Sequence, residues 1–357
     1  YPASYREWFI RRCFEALNQE NPNDDTGEVS LADVQKTNSQ ARHRNVGLVV
    51  ETRPDLITIE NLVEMRRQGV TKMQLGIQSM DNRVLRLNKR GHSAEEAEEA
   101  IRLVRAAGYK VVVHWMPNLL GATPESDRED FARLWREGGV NPDELKIYPC
   151  QLLRNAELYD YWLRGEYHPY EEKELINLLA DIKPTVPRFC RINRVIRDIP
   201  SNHVVEGNRN TSLRQDVALE MKTRGSVCQC IRCREIRKGK IDEESLVFDD
   251  QVYKAGWAEE HFLSYNTQDD HILGFLRLSL PDKNQFFPVN ELEEAAIIRE
   301  VHVYGQSIEV GGEGSGSAQH RGLGSSLIEK AAEIALQNGY QKLTVISAIG
   351  TRQYYAL

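Results

Sequence analysis

Four short apolar segments, each followed by an amphipathic one, constrain the fold of this chain more than any other feature of its sequence. The run "NVGLVVE" (45–51) precedes a helical pattern near 58–67, "KMQLGIQ" (72–78) one near 93–107, "KVVVHWMP" (110–117) one near 126–136, and "ELKIYP" (144–149) precedes "NAELYDYWLRG". Strand-length apolar runs alternating with helix-period segments read as parallel β/α units. Polar residues close several of these strands: Glu51, Thr52 and Arg53, then Gln78 and Ser79, then His114, then Lys146 and Tyr148. Sites in such folds lie at the carboxyl ends of the strands, so these residues are expected to share a pocket there. Glu51 and Gln78 are the candidates to hold a cofactor. The plainer reading is that such residues cap helices and form surface pairs.

The texture changes near residue 185. Arg188, Arg191, Arg194, Arg197, Arg209, Arg214, Arg224, Arg232, Arg234 and Arg237 crowd a stretch with few acids. The fork of a guanidinium suits phosphate, and a clustered positive face can act locally although the 357-residue chain has a formal net charge of −7. Arg191, Arg194, Arg197, Arg209 and Arg232 are the nucleic-acid candidates here, with Lys89 and Arg90 in the basic turn "NKRGHS", beside His92; a solvated face is the other reading. The same stretch carries "CQCIRC", in which Cys228, Cys230 and Cys233 are three of the six cysteines. The first residues lack a signal-peptide pattern, and spacing this tight favours a metal clip over a disulfide framework. Three thiolates in C-x-C-x₂-C converge on one tetrahedral ion, zinc, with Cys190 as the first choice of fourth ligand and His203 the second. A site closed in this way is structural. No run of 18 or more apolar residues occurs, which speaks against a membrane span.

From about residue 241 the pattern becomes strands and turns, "ESLVFDDQVYKAG", "EEHFLSYNTQDDHILGFLRLSL" and "AAIIREVHVYG", as in an antiparallel sheet. After the linker-like "GGEGSGS" (311–317), "QHRGLG" leads into a helix whose buried stripe is Leu323, Leu327, Ile328, Ala331, Ala332 and Ile334. Gly322 and Gly324 permit close backbone approach, and free amides at the start of the helix, through Leu323 and Ser325, can hold a pyrophosphate. Gln319 and Arg321 would add side-chain contacts. No G-x-G-x-x-G and no Walker A loop is present, and a simple helix entry is the plainer reading. Glu300 and His302, two apart on a strand, are expected to share a face, Glu300 to position water or substrate.

Q-x-x-G-x-G, here Gln319, Gly322 and Gly324, resembles motif A of the GNAT acetyltransferases, which bind the pyrophosphate of acetyl-CoA at this turn. With "IREVHVYG", "TRQYYAL", "LVVETRPD", "TKMQLGIQS", "NKRGHS", "RVIRDIP" and the Arg/Cys-rich segment, essentially the whole chain resembles the catalytic subunit of Elongator, a tRNA acetyltransferase joined to a radical S-adenosylmethionine domain. The resemblance implies an α/β fold: a partial (β/α) radical-SAM barrel over 1–185, an Arg/Cys-rich linker with a metal site over 186–240, and a GNAT-like domain over 241–357 that is C-terminally incomplete. It implies an acyltransferase, a tRNA carboxymethyluridine synthase, that modifies the wobble uridine at C5 by a radical mechanism with acetyl-CoA as the two-carbon source. Tyr354 and Tyr355 stand where the family has its acetyltransferase tyrosine pair, and with Glu300 they are the catalytic candidates.

The family's 4Fe–4S cluster needs a close three-cysteine motif upstream of the barrel. Here the N-terminal region has Cys13 alone, and Cys228, Cys230 and Cys233 come too late with different spacing, so the chain is expected to lack the cluster's ligand segment. Expected partners are tRNA, a second copy in a homodimer, and accessory Elongator subunits where the organism has them; the expected compartment is the cytoplasm. Two other classes compete: a tRNA-binding scaffold whose acetyl-CoA pocket is structural, and a protein lysine acetyltransferase.

Overall fold

The computed structural model describes residues 1–19, 29–196, 199–236, 245–304 and 322–356. Helices α1 (Ala3–Asn18) and α2 (Leu31–Asn38) precede a run of parallel units: β1 (Val49–Thr52), α3 (Ile59–Arg67), β2 (Lys72–Gln78), α4 (Asn82–Leu87), α5 (Ala94–Ala106), β3 (Lys110–Trp115), α6 (Pro124–Arg133) and β4 (Glu144–Ile147). The starts of the helices are written in their caps. Thr58 accepts from the Asn61 amide, and Ser93 with Glu96 and Thr123 with Ser126 form reciprocal capping boxes.

After β4 come β5 (Gln151–Leu153), α7 (Leu158–Leu163), α8 (Glu172–Ile182), β6 (Arg191–Arg194), β7 (Val204–Gly207), α9 (Leu213–Thr223) and α10 (Ile231–Arg234). The first sheet runs β1-β2-β3-β4-β6, all parallel, and β5 pairs with β7 apart from it. The expectation of a linker from residue 186 is therefore corrected. Arg191–Arg194 is the fifth strand of the parallel sheet, and Ile192, Leu213, Val217, Met221 and Ile231 are buried in its core. Dense arginine obscured a strand that contributes only one apolar side chain.

Alternation gives this sheet two unlike faces. Met73, Leu75, Ile77, Val111, Val113, Trp115, Leu145 and Ile147 pack with Leu62, Ile101, Phe131 and Leu178 of the surrounding helices. Lys72, Gln74, Lys110, His114, Glu144, Lys146 and Asn193 alternate with that apolar set and form a polar face.

The second sheet has the order β12-β11-β10-β9-β8, from β8 (Val247–Ala255), β9 (Ala258–Asn266), β10 (Ile272–Pro281), β11 (Ala295–Val303) and β12 (Lys342–Val345). The first four are antiparallel as expected, whereas β12 returns parallel to β11 through α11 (Leu323–Gln337). Leu327, Ala331 and Ala335 of α11 cover Leu263, Leu276, Leu278 and Ile298 on one side of this sheet. On its other side Phe262, Phe275 and Ile297 join the core of the first sheet.

A buried charge network pins the two sheets together. Both oxygens of Asp143, just before β4, accept from Arg299 of β11 at 2.6 and 2.8 Å, and Arg105 and Arg277 lie 3.4 and 3.7 Å from the same carboxylate. Glu260 takes a further hydrogen bond from Arg299 at 2.6 Å. Burial alone would raise the Asp143 carboxyl, but the three arginines hold it far below the usual carboxylate range. A bulge makes this possible: Arg277 pairs with Glu300 while Leu278 pairs with Ile298, so Arg299 and Glu300 both turn toward the first sheet.

Candidate functional site

The polar face of the first sheet carries a hydrogen-bonded set in mid-strand. Gln74 Oε1 accepts from Lys146 Nζ and lies 2.9 Å from His114 Nε2, whose Nδ1 is 3.6 Å from Glu51 Oε1. Tyr148 meets the His114 ring edge-on at 5.2 Å. Of the expected rim set, Glu51, His114, Lys146 and Tyr148 lie together, whereas Arg53 pairs with Asp55 and Ser79 bonds to Asp130. Gln74, Lys72, Lys110 and Glu144 share this face but lie away from the strands' carboxyl ends, where the polar residues were expected. The alternation in "KMQLGIQ" was the available signal.

At the carboxyl end of β2, Gln78 adopts a left-handed backbone, φ 67°, a conformation non-glycine residues seldom hold outside functional or strained sites. A Cβ on Gly76 would sit 2.8 Å from Gln78 Nε2, so glycine leaves room for that side chain. Gln78 Oε1, Arg90 Nε and His92 Nδ1 are buried without hydrogen-bond partners among the described residues. Such orphaned groups at one rim call for a polar ligand. Arg90 also donates to the Gly76 carbonyl at 3.2 Å, and burial, chiefly, lowers the His92 pKa. Lys89, by contrast, is exposed and pairs with Glu157.

In the second sheet, β11 and β12 pair only from Ala295–Ile298 to Lys342–Val345, and the Ile346 amide closes the ladder on the Ile298 carbonyl at 3.0 Å. Beyond that point lie Tyr354 and Tyr355, in α12 (Arg352–Tyr355), with ring centroids 5.0 Å apart and nearly perpendicular planes. Gly322, φ 104°, is the N-cap of α11, and no side chain among the described residues caps the first turn, at Leu323, Gly324 and Ser325. A Cβ on Gly324 would come within 2.6 Å of the Tyr354 hydroxyl. That glycine therefore admits the tyrosine as well as any ligand. Burial first, then Tyr354 and Glu300, push the Tyr355 phenol up to about 12, so it holds its proton at neutral pH. Gln319 and Arg321 lie outside the described residues.

Glu300 departs from expectation. It accepts from Arg277 Nε at 2.9 Å and has Lys110 Nζ at 3.6 Å. Burial opposes its ionisation, but Lys110, Arg277 and Lys72 bring its pKa down to about 2. It is a fixed carboxylate at the junction of the two sheets, not a free water-positioning group. His302 shares its face as predicted, stacked 5.6 Å from the Phe275 ring.

The Sγ atoms of Cys228, Cys230 and Cys233 lie within 4.8 Å of one another, a donor set that fits a soft divalent ion. Hydrogen bonds from Cys228 and Cys233 lower the Cys230 pKa and favour its thiolate. Cys190 does not belong to this group; it is fully buried in the apolar core, where burial raises its pKa, and the exposed His203 is also outside the group. Among the described residues no second set of three ligands is present, and Cys13 stands exposed on α1. Among the described residues no three-cysteine set precedes the first sheet, so those residues do not fit a 4Fe–4S cluster there.

The Arg-rich stretch finds acids both within itself and elsewhere in the chain. Arg188 and Arg234 converge on Asp270, Arg224 pairs with Asp181 and Glu220, and Arg191 holds Glu235 at 2.6 Å and the Tyr304 hydroxyl at 2.8 Å. Arg191 is thus committed inside the protein. Arg232 donates to the Asn193 carbonyl at 3.2 Å, and Arg209, though exposed, donates to the carbonyls of Val204 and Val205. Arg194 is exposed beside the polar face, and Arg197 lies outside the described residues.

No helix among the described residues is long and apolar enough to cross a membrane. Family models match along the chain: the Radical SAM superfamily over 19–134, the Radical_SAM C-terminal domain over 142–223, and the Acetyltransferase (GNAT) family over 232–356. The chain is 36% identical over 367 residues to a tRNA uridine(34) acetyltransferase of Methanocaldococcus infernus, covering 99% of this chain and 67% of that one. For the Dehalococcoides mccartyi protein of the same name the figures are 37%, 99% and 76%. Elongator complex protein 3 of Danio rerio is 36% identical, with 99% of this chain and 64% of that protein covered. The chain spans about two thirds of the length of most of these curated relatives, between 64% and 67% for the archaeal and animal ones. A solved structure of an N-terminally truncated Elp3 from Methanocaldococcus infernus superposes with a TM-score of 0.90 at 35% identity, covering 100% of this chain and 84% of that one. A radical-SAM α/β unit docked on a GNAT fold, with relatives of this identity along its whole length, makes the chain a member of the Elongator complex protein 3 and tRNA uridine(34) acetyltransferase family.

Proposed function

We propose that this chain modifies the wobble uridine of tRNA at C5, with acetyl-CoA as the source of a two-carbon unit and a carboxymethyl-type nucleoside as the product. The observation that carries the reading is the Lys110–Glu300 contact, through which the polar face of the first sheet meets β11 of the second. S-adenosylmethionine, given one electron by an iron–sulfur cluster, would supply radical chemistry, and acetyl-CoA would supply the acetyl group. Gln78, Arg90 and Glu51 would hold the former at the rim, consistent with the orphaned atoms there. The first-turn amides of Leu323, Gly324 and Ser325 would take the pyrophosphate of the latter. Tyr355, protonated at neutral pH, has the right state to give its proton to a departing thiolate. Cys228, Cys230 and Cys233 would hold zinc and brace α10 against β6. Arg194, Arg209 and Lys89, all exposed, are the candidates to meet phosphate.

The test follows free CoA with and without tRNA. The expected result is stimulation by tRNA that disappears when Tyr354 and Tyr355 are both replaced by Phe. Tight tRNA binding with no CoA release would favour a scaffold, and acetylation of protein lysines in place of tRNA-dependent release would favour a lysine acetyltransferase.

A further inference from the structure

Gln74 sits mid-strand on the polar face, below the rim that ends in Gln78. Its register neighbours are Glu51 on β1 and Val112 on β3. One of its terminal atoms faces both Lys146 Nζ and His114 Nε2. An ammonium can only donate, so that atom is the oxygen and the orientation of the amide is set by chemistry. The NH₂ group of Gln74 is consequently turned away, with no hydrogen-bond partner among the described residues. Among the described residues no carboxylate lies within ion-pair distance of Lys146; its ammonium donates to the neutral Gln74 oxygen and sits 5.9 Å from the Tyr148 ring, with Glu51 and Glu144 acting on it from farther away. Two sets of unspent donors, an amide and an ammonium, therefore stand side by side on one face. They are matched to a carbonyl oxygen and mismatched to an amino group.

Resting on the functional reading above, we propose that Gln74 and Lys146 read the C4 carbonyl of the wobble base and so select uridine over cytidine. Uracil presents O4 as an acceptor next to C5, the carbon to be modified. Cytosine presents an amino donor at the same position, which would face two donors with no acceptor between them. Donors buried without an acceptor are what makes such discrimination large. One contact thus both identifies the base and aims its C5 edge. His114 acts indirectly: its contact with Gln74 Oε1 holds the amide in register, which makes it a positioning residue.

Gln74→Glu tests this with little change of shape, since the carboxylate still accepts from Lys146 and His114 but offers an acceptor where the amide offered donors. The probes are anticodon stem–loop RNAs that differ only in uridine or cytidine at the wobble position. The readouts are RNA-stimulated CoA release and fluorescence anisotropy of the labelled stem–loops. The wild-type chain should prefer the uridine RNA by about tenfold or more, and Gln74→Glu should bring that ratio below about twofold or invert it. Lys146→Met should lower the ratio in the same direction, and an unchanged thermal midpoint would exclude simple unfolding. A Gln74→Glu chain that keeps the wild-type ratio, or that loses both RNAs equally, overturns the proposal alone. Absence of stimulation or binding by either RNA in the wild-type chain overturns the functional reading and this proposal with it.

Discussion

Single side chains carry the sharpest expectations. Removing the Tyr355 hydroxyl as Tyr355→Phe keeps the ring and its edge contact with Tyr354 but withdraws the proton donor. Stimulated CoA release should fall by about 10²-fold, the lower range for a positioned general acid, with little change in acetyl-CoA affinity. Gly324→Ala drives a methyl into the space 2.6 Å from the Tyr354 hydroxyl, so it should weaken acetyl-CoA binding, as titration calorimetry would register. Gly322 and Gly324 were legible as a turn before an amphipathic helix, whereas Tyr354 and Tyr355 were legible only through the resemblance of "TRQYYAL" to a known family. Glu300 was legible only as a polar residue on a strand. Its partners Lys110 and Arg277 come from distant segments, so its fixed charge could not be read from its own neighbourhood.

Secondary-structure elements set the next expectations. Asp127, on α6, accepts from the Asn118 amide and the Tyr170 hydroxyl at 2.8 Å each, tying the loop after β3 to the segment before α8. Burial is the largest influence on it and raises its pKa to about 7. Because the folded state then binds a proton that the unfolded state has released, stability should decline as pH rises from about 4 to about 7. Asp127→Asn should flatten that part of the curve, measured as thermal midpoints between pH 5 and pH 7, whereas an unchanged slope would remove Asp127 from the account. The cysteine element is tested by Cys230→Ser, which should abolish stoichiometric metal by elemental analysis; full retention would exclude Cys230 as a ligand. Strand and helix order was readable here because periods of 2 and 3.6 are local properties. Strand β6 was not, since Arg191, Asn193 and Arg194 look like a solvated stretch until β4 is set beside them. Cys190 was expected at the clip because it lies in the same Arg-rich segment, but its sulfur is not among the three that converge there.

At the scale of the whole molecule the two sheets behave as one body. Their cores are continuous through Phe262, Phe275 and Ile297, and Asp143 holds arginines from both sides. Asp143→Ala would leave Arg105, Arg277 and Arg299 short of a buried counter-charge and should destabilise the protein by about 3–5 kcal/mol. Loss should appear in a single unfolding transition; two resolved transitions would mean that the halves fold independently. The central claim is that RNA engaged on one half governs thioester cleavage in the other. Its most direct test is the rate of CoA release from saturating acetyl-CoA as tRNA is titrated. The account predicts a rate that rises with tRNA and saturates; a rate that stays flat while tRNA binding is independently observed would contradict it.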